Sequence, residues 1–108
     1  MMDDRTLAQI ARRWIAVRRC RERFFPADLF DESAWDMLML LFVAQAEDRT
    51  VTDEQLMAEA GCRAGTGHRW VAHLEQDGQI SRADGSAIRL TADARDRMRR
   101  FLAEAAEV

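Results

Sequence analysis

Apolar positions along this chain fall into blocks with helical spacing. In "TLAQIARRWIAVRRCRERFF", Leu7, Ile10, Trp14, Val17 and Phe24 recur at intervals of three, four and seven. That is the stripe of an amphipathic helix with heptad character. Pro26 is expected to end it. In "DESAWDMLMLLFVAQAED" the residues from Met37 to Ala44 are apolar on every side. Such a helix is buried, so it should be the central rod of the core. Asp31 or Ser33 supplies its N-cap, and Asp36 stands three after Ser33 in a capping-box position. A short β-prone patch, "RTVT", follows. Thr52 or Asp53 then caps a third helix, "DEQLMAEAG", which Gly61 ends. "AGTGHRWVAHLEQDG" makes a fourth helix, ending at Gly78. Two short helices joined by a tight Gly-containing turn form a helix-turn-helix pattern.

The next segment changes period. In "QISRADGSAIRLT", Ile80, Ile88 and Leu90 flank "ADGS", and Asp84-Gly85 is a hairpin signal. A hairpin directly after a helix-turn-helix reads as a wing. Thr91 caps a last helix, "ADARDRMRRFLAEAAEV", on which Ala94, Met98, Phe101, Ala105 and Val108 alternate four and three. The expected architecture is mostly α with a small β-hairpin wing. It is one domain over residues 1–108: an N-terminal helix at 1–25, a winged helix-turn-helix core at 33–91 and a C-terminal helix at 92–108.

Length supports this partition, since 108 residues suit a single core. No stretch reaches the ~18–20 apolar residues of a membrane span, and the acidic start "MMDDRTLAQI" lacks the layout of a secretion signal. A cytoplasmic protein is expected. Cys20 and Cys62 form no CxxC pair and are read as free thiols.

The formal charge is −3, but its distribution matters more. Residues 1–30 carry seven Arg against four acids, residues 31–61 one Arg against eight, residues 62–90 four against three, and residues 91–108 four against four. The acid is thus concentrated in one segment, and a positive face elsewhere is open. All 16 basic residues are Arg. Arg forks suit phosphates, although the absence of Lys is read as genomic base composition. Arg12, Arg13, Arg18, Arg19 and Arg23, opposite the first seam, are read as a solvated face, with a phosphate-contacting face as the alternative.

The fourth helix carries the candidate chemistry. On a helical wheel Gly67, Trp70, Val71 and Leu74 fall on one side and are expected to pack on the core. Gly65, Arg69, Ala72 and Gln76 face away, flanked by His68 and His73. Small residues around one guanidinium allow close approach to a groove, where Arg can fork onto guanine edges or phosphate. The glycines also leave the first amides of the helix open to an anion. Other chemistry falls away. His68 and His73 are splayed by about 140° on a helix, and Cys62 does not improve the geometry, so no metal site is expected. Without GxSxG, P-loop or a supported Ser/His/Asp set, neither an enzyme nor a cofactor is expected.

The stretch from Ala34 to Arg97 resembles the winged-helix domain of the MarR family of transcription regulators. The residues that carry the resemblance are "VTDEQLMAEAG", the turn, "RWVAHLEQDGQISR" and "IRLTADA". "AWDMLMLLFVAQ" followed by "GHRWVAHLEQDGQI" is especially similar to a small subgroup with an Arg-Trp pair in the recognition helix. The resemblance implies a sequence-specific regulator of transcription that binds double-stranded DNA as a homodimer. By position it places base contacts at Arg63, Gly65, Thr66, His68 and Arg69, and wing contacts at Arg82 and Arg89. Its dimer, with N- and C-terminal helices interlocked, fits the seams of Leu7, Ile10, Trp14, Val17 and Phe24 and of Met98, Phe101 and Ala105. It also implies a small-molecule effector, aromatic or oxidant, which no residue here identifies. Three departures stand out: Ala94 replaces a Gly, Ala64 an Arg, and Asp84 makes the short wing acidic. Strand alternation puts Arg82 on the same side as Ile80, so it points outward only if the strand ends there. The acidic segment and weak wing leave a second reading, an acidic winged-helix module that binds protein and not DNA.

Overall fold

The all-apolar stretch does form the central rod. In the computed structural model, which describes residues 2–108, it lies within α2, Glu32–Ala46. Ala34, Trp35, Met37, Leu38, Leu41 and Ala44 are buried along it, but Met39, Leu40 and Phe42 are only half-buried and Val43 is 43% exposed, so the rod is not covered on every side as its apolar run led one to expect. Its cap is Asp31, whose carboxylate accepts from the Ser33 and Ala34 amides at 2.9 and 3.4 Å. Asp36 therefore has no capping role, because the helix begins one residue before Ser33.

The first seam forms α1, Asp4–Cys20, with Asp3 as N-cap. The Thr6 amide donates to the Asp3 carboxylate at 2.9 Å, and this bond, made to the charged form, holds the Asp3 pKa below its ordinary value. The α-helix stops at Cys20, well before Pro26, so the proline is not what ends it as expected. A 3-10 turn at Arg21–Arg23 tightens its end, and a second at Ala27–Leu29 leads into α2. The two turns pack Phe25 and Phe30 edge-on against Trp35, at ring-centroid distances of 5.4 and 5.8 Å. Phe101 closes on the same indole at 5.3 Å. The guanidinium of Arg21 covers the Phe30 ring at 4.1 Å and the Trp35 ring at 5.2 Å. Burial, and then the neighbouring Arg18 charge, lower the Arg21 pKa from its ordinary value.

α3 spans Asp53–Glu59, α4 Ala64–Gln76 and α5 Ala92–Ala105. Thr52 and Gln55 make the reciprocal capping box of α3, and Thr91 caps α5 through the Ala94 amide. The wing is β2, Ile80–Arg82, paired antiparallel with β3, Ala87–Leu90. Ala83 donates to the Ala87 carbonyl at 2.8 Å, so the turn is Asp84–Gly85–Ser86, with Gly85 at φ +72°. The β-prone patch adds β1, Val51–Thr52, on the other side of β3, so the sheet order is β1-β3-β2. Gln45 of α2 accepts from the Leu90 amide at 2.7 Å and fastens this sheet to the central rod.

Gln79, between α4 and β2, is the one buried polar side chain among the described residues. It donates to Asp77 at 2.9 Å and accepts from Arg97 of α5 at 3.2 Å, while its backbone carbonyl accepts from Thr91.

The two seams divide by depth. Met98 and Phe101 are buried in the chain's own core, and Val17, Phe24 and Ala105 pack at its margin. Leu7 and Trp14 are 46% and 73% exposed, and Ile15, outside the seam as read from sequence, is 46% exposed. The reason is reach: α1 runs past the body of a molecule measuring 50 × 27 × 27 Å. Arg13 donating to the Val108 carbonyl at 3.1 Å, and an ion pair from Arg23 to Glu104, join α1 to the end of α5.

Candidate nucleic-acid interface

The crossing of α3 and α4 requires two glycines, one in the turn and one within α4. Gly61 lies at φ +70°, where a side chain would be strained. Gly67 is buried, and a Cβ there would meet Met57 Sδ and Cγ at 2.5 and 2.7 Å. Its absence lets α4 lie close on α3. Val71 and Leu74 continue the buried side, as the wheel predicts. Trp70 differs from the expectation, because it is only half-buried. Its indole stands edge-on to His73 at 5.6 Å, and His73 Nε2 lies 3.1 Å from Asp28 Oδ2. That contact ties α4 to the 3-10 turn before α2. The separation of 45 positions between the partners hides it from any periodicity in the sequence.

The outer face is as open as the spacing implies. Gly65, His68, Arg69, Ala72 and Gln76 are all exposed. Arg63 is the N-cap residue of α4, and no side chain bonds to the first amides. With no acidic residue in the first turn either, those amides keep their partial positive charge for an outside anion. Neither Arg63 nor Arg69 makes an ion pair among the described residues. Thr66 is half-buried and, with Asp28, Arg69, Trp70 and His73, lines a cleft of about 380 Å³ beside this face.

A Cβ at Gly65 would meet nothing within 4 Å. Gly65→Ala is therefore expected to raise stability by about 0.5–1 kcal/mol through helix propensity. If the backbone here approaches DNA, the same methyl should weaken duplex binding by about ten-fold, or ~1.4 kcal/mol. Thermal melts and duplex titrations should thus move in opposite directions. Equal affinity for both proteins would refute close approach at this position.

The wing holds two guanidiniums in different settings. Arg89 alternates with the buried Ile88 and Leu90 and is exposed on the outward face. It makes no ion pair among the described residues. Arg82 is the last residue of β2, and its side chain is 44% exposed. Its nitrogens nevertheless lie 3.4 Å from Asp53 Oδ2 and 3.4 Å from Glu75 Oε1. Asp84 stands at the exposed tip. No group of three or more His, Cys, Asp or Glu that could hold a metal ion occurs among the described residues. No helix among them is long and apolar enough to cross a membrane.

No protein-family model and no curated protein matches the chain. Solved structures do match. Ligand-free NadR superposes with a TM-score of 0.63 at 19% identity, over 98% of this chain and 75% of that one. NadR in complex with 4-hydroxyphenylacetate gives 0.63 at 16%, over 94% and 75%. A candidate transcriptional regulator from Pseudomonas aeruginosa PA01 gives 0.57 at 23%, over 96% and 73%. The chain therefore shares the fold of these structures, a winged helix-turn-helix flanked by N- and C-terminal helices.

Proposed function

We propose that the protein is a transcription regulator, not an enzyme, which binds double-stranded DNA sequence-specifically in the cytoplasm as a homodimer. The observation that carries the proposal is the outer face of α4. Arg69 stands there exposed and unpaired among the described residues, on a helix face whose small residues are Gly65 and Ala72. α4 enters the major groove, with Arg69 and His68 at base edges and Arg63 and Thr66 at phosphates or mixed positions. Arg89 reaches the backbone from the wing. The exposed Leu7, Trp14 and Ile15, with Ile10 half-buried beside them, supply the face on which a second copy packs. A two-fold dimer would read a palindrome with half-sites about one helical turn apart. The likeness to NadR and to the Pseudomonas regulator supports a regulatory role. NadR has been seen with 4-hydroxyphenylacetate. A small planar effector would here find the cleft beside Arg69, where it would compete with DNA.

The test is duplex binding at two salt concentrations. Affinity for random duplex should fall roughly a hundred-fold between about 50 and 200 mM salt, as phosphate contacts release counterions. At the selected cognate site Arg69→Ala should cost about 1–3 kcal/mol. Absence of duplex binding by the wild type at low salt would remove the proposal and leave the protein-binding module.

A further inference from the structure

The two wing arginines point to opposite faces of the sheet, and only Arg89 is without an ion pair among the described residues. Side chains alternate along a strand. Arg82 shares a face with Ile80, which is buried against the helices. Arg82 pairs in register with Ile88, and Ile88 with Val51, so the row Val51–Ile88–Arg82 crosses the whole sheet. Arg89 alternates with Ile88 and lies on the other face. The Arg82 side chain therefore leaves the strand toward the helix-turn-helix, where two carboxylates receive it.

Those carboxylates come from different elements. Asp53 is the first residue of α3, and its side chain is only 19% exposed. It is fixed from both sides, since Oδ1 accepts from the Glu54 amide at 3.0 Å while Oδ2 faces Arg82 Nη1. Glu75 lies in the last turn of α4 and faces Arg82 Nε. One guanidinium thus joins β2, the start of α3 and the end of α4. A guanidinium offers donors in a planar fork, which suits two acceptors at once.

We infer that Arg82 is a positioning residue that clamps the wing to α3 and α4 through Asp53 and Glu75, and that it is not a phosphate contact. The wing then meets DNA through Arg89 alone among its arginines. This assignment rests on the DNA-binding reading only for its second consequence. The clamp itself is a property of the free protein.

The experiment uses the full chain with Arg82→Gln, Arg82→Lys and Glu75→Gln. Amide exchange is followed residue by residue in the free protein, and the salt slope of duplex binding is measured beside it. Arg82→Gln is expected to speed exchange at Ala83 and across β3 about three-fold or more, the range of a networked surface pair. Amides of α2 should keep their rates, which separates a loosened wing from global destabilisation. Glu75→Gln should give part of the same increase, and adding it to Arg82→Gln should give no more. Arg82→Lys, which keeps the charge, should restore most of the protection. The salt slope of Arg82→Gln should equal that of the wild type. Unchanged exchange in the hairpin would overturn the clamp, whatever happens with DNA. So would a slope reduced by about one, the signature of a lost phosphate contact. If the wild type binds no duplex, the regulator reading fails while the exchange data still decide on the clamp.

Discussion

Trp35→Ala is expected to destabilise the fold by about 3–5 kcal/mol, the range for emptying a large aromatic site in a core. Three phenyl rings meet the indole edge-on, and the Arg21 guanidinium lies across it. The rings come from the turns after α1, from the segment before α2 and from α5, so one deletion loosens three connections. Edge-to-face pairs add about 0.5–1.5 kcal/mol each beyond burial, which puts the loss at the upper end of the range. Domains of this kind hold only about 5–15 kcal/mol in total. The substituted chain should melt early or expose apolar surface at room temperature. Urea unfolding measures the effect, and a change below about 1 kcal/mol would mean that Trp35 is not the keystone of the packing.

Trp14→Glu is expected to leave the monomer fold nearly intact and to abolish the dimer. Trp14 is 73% exposed, so its removal empties no cavity. Exposed aromatic anchors of this kind dominate interface energies, at about 2 kcal/mol or more when truncated. A buried carboxylate in the same place would add its desolvation cost. Sedimentation at micromolar concentration should show monomer for the variant and dimer for the wild type. Duplex affinity should fall by about a hundred-fold or more, because two linked reading heads gain that much from effective concentration. A wild type that sediments as a monomer would remove the two-fold arrangement. A variant that remains dimeric would move the interface elsewhere.

Period and punctuation made most of the fold legible in the sequence. Met37 to Ala44 announced a buried helix, and Thr52, Gly61, Gly78 and Thr91 marked the ends of three others. These signals are local, set by backbone groups a few residues away. The aromatic cluster was not legible. Phe25, Phe30 and Trp35 meet through two irregular turns, which carry no period to read. The stripe of the first helix was legible as far as Val17, but Phe24 falls beyond the helix end, and a heptad pattern does not say whether its partner is the same chain. Arg69 could be placed outward from a wheel alone. The partners of Arg82 could not, since Asp53 is 29 positions away and Glu75 lies across the irregular turn between α4 and β2, and only the fold brings the three together.

Gln79 makes the junction between reading head and arm stiff. Bonded to Asp77, Arg97 and Thr91, it leaves α4 and α5 no slack at their meeting point. If the chain pairs and binds DNA as proposed, α4 and α5 should move together, and the angle of α5 would set how far apart the α4 helices of the two copies stand. A small tilt of α5 would then reset the spacing at which the proposed pair meets a duplex.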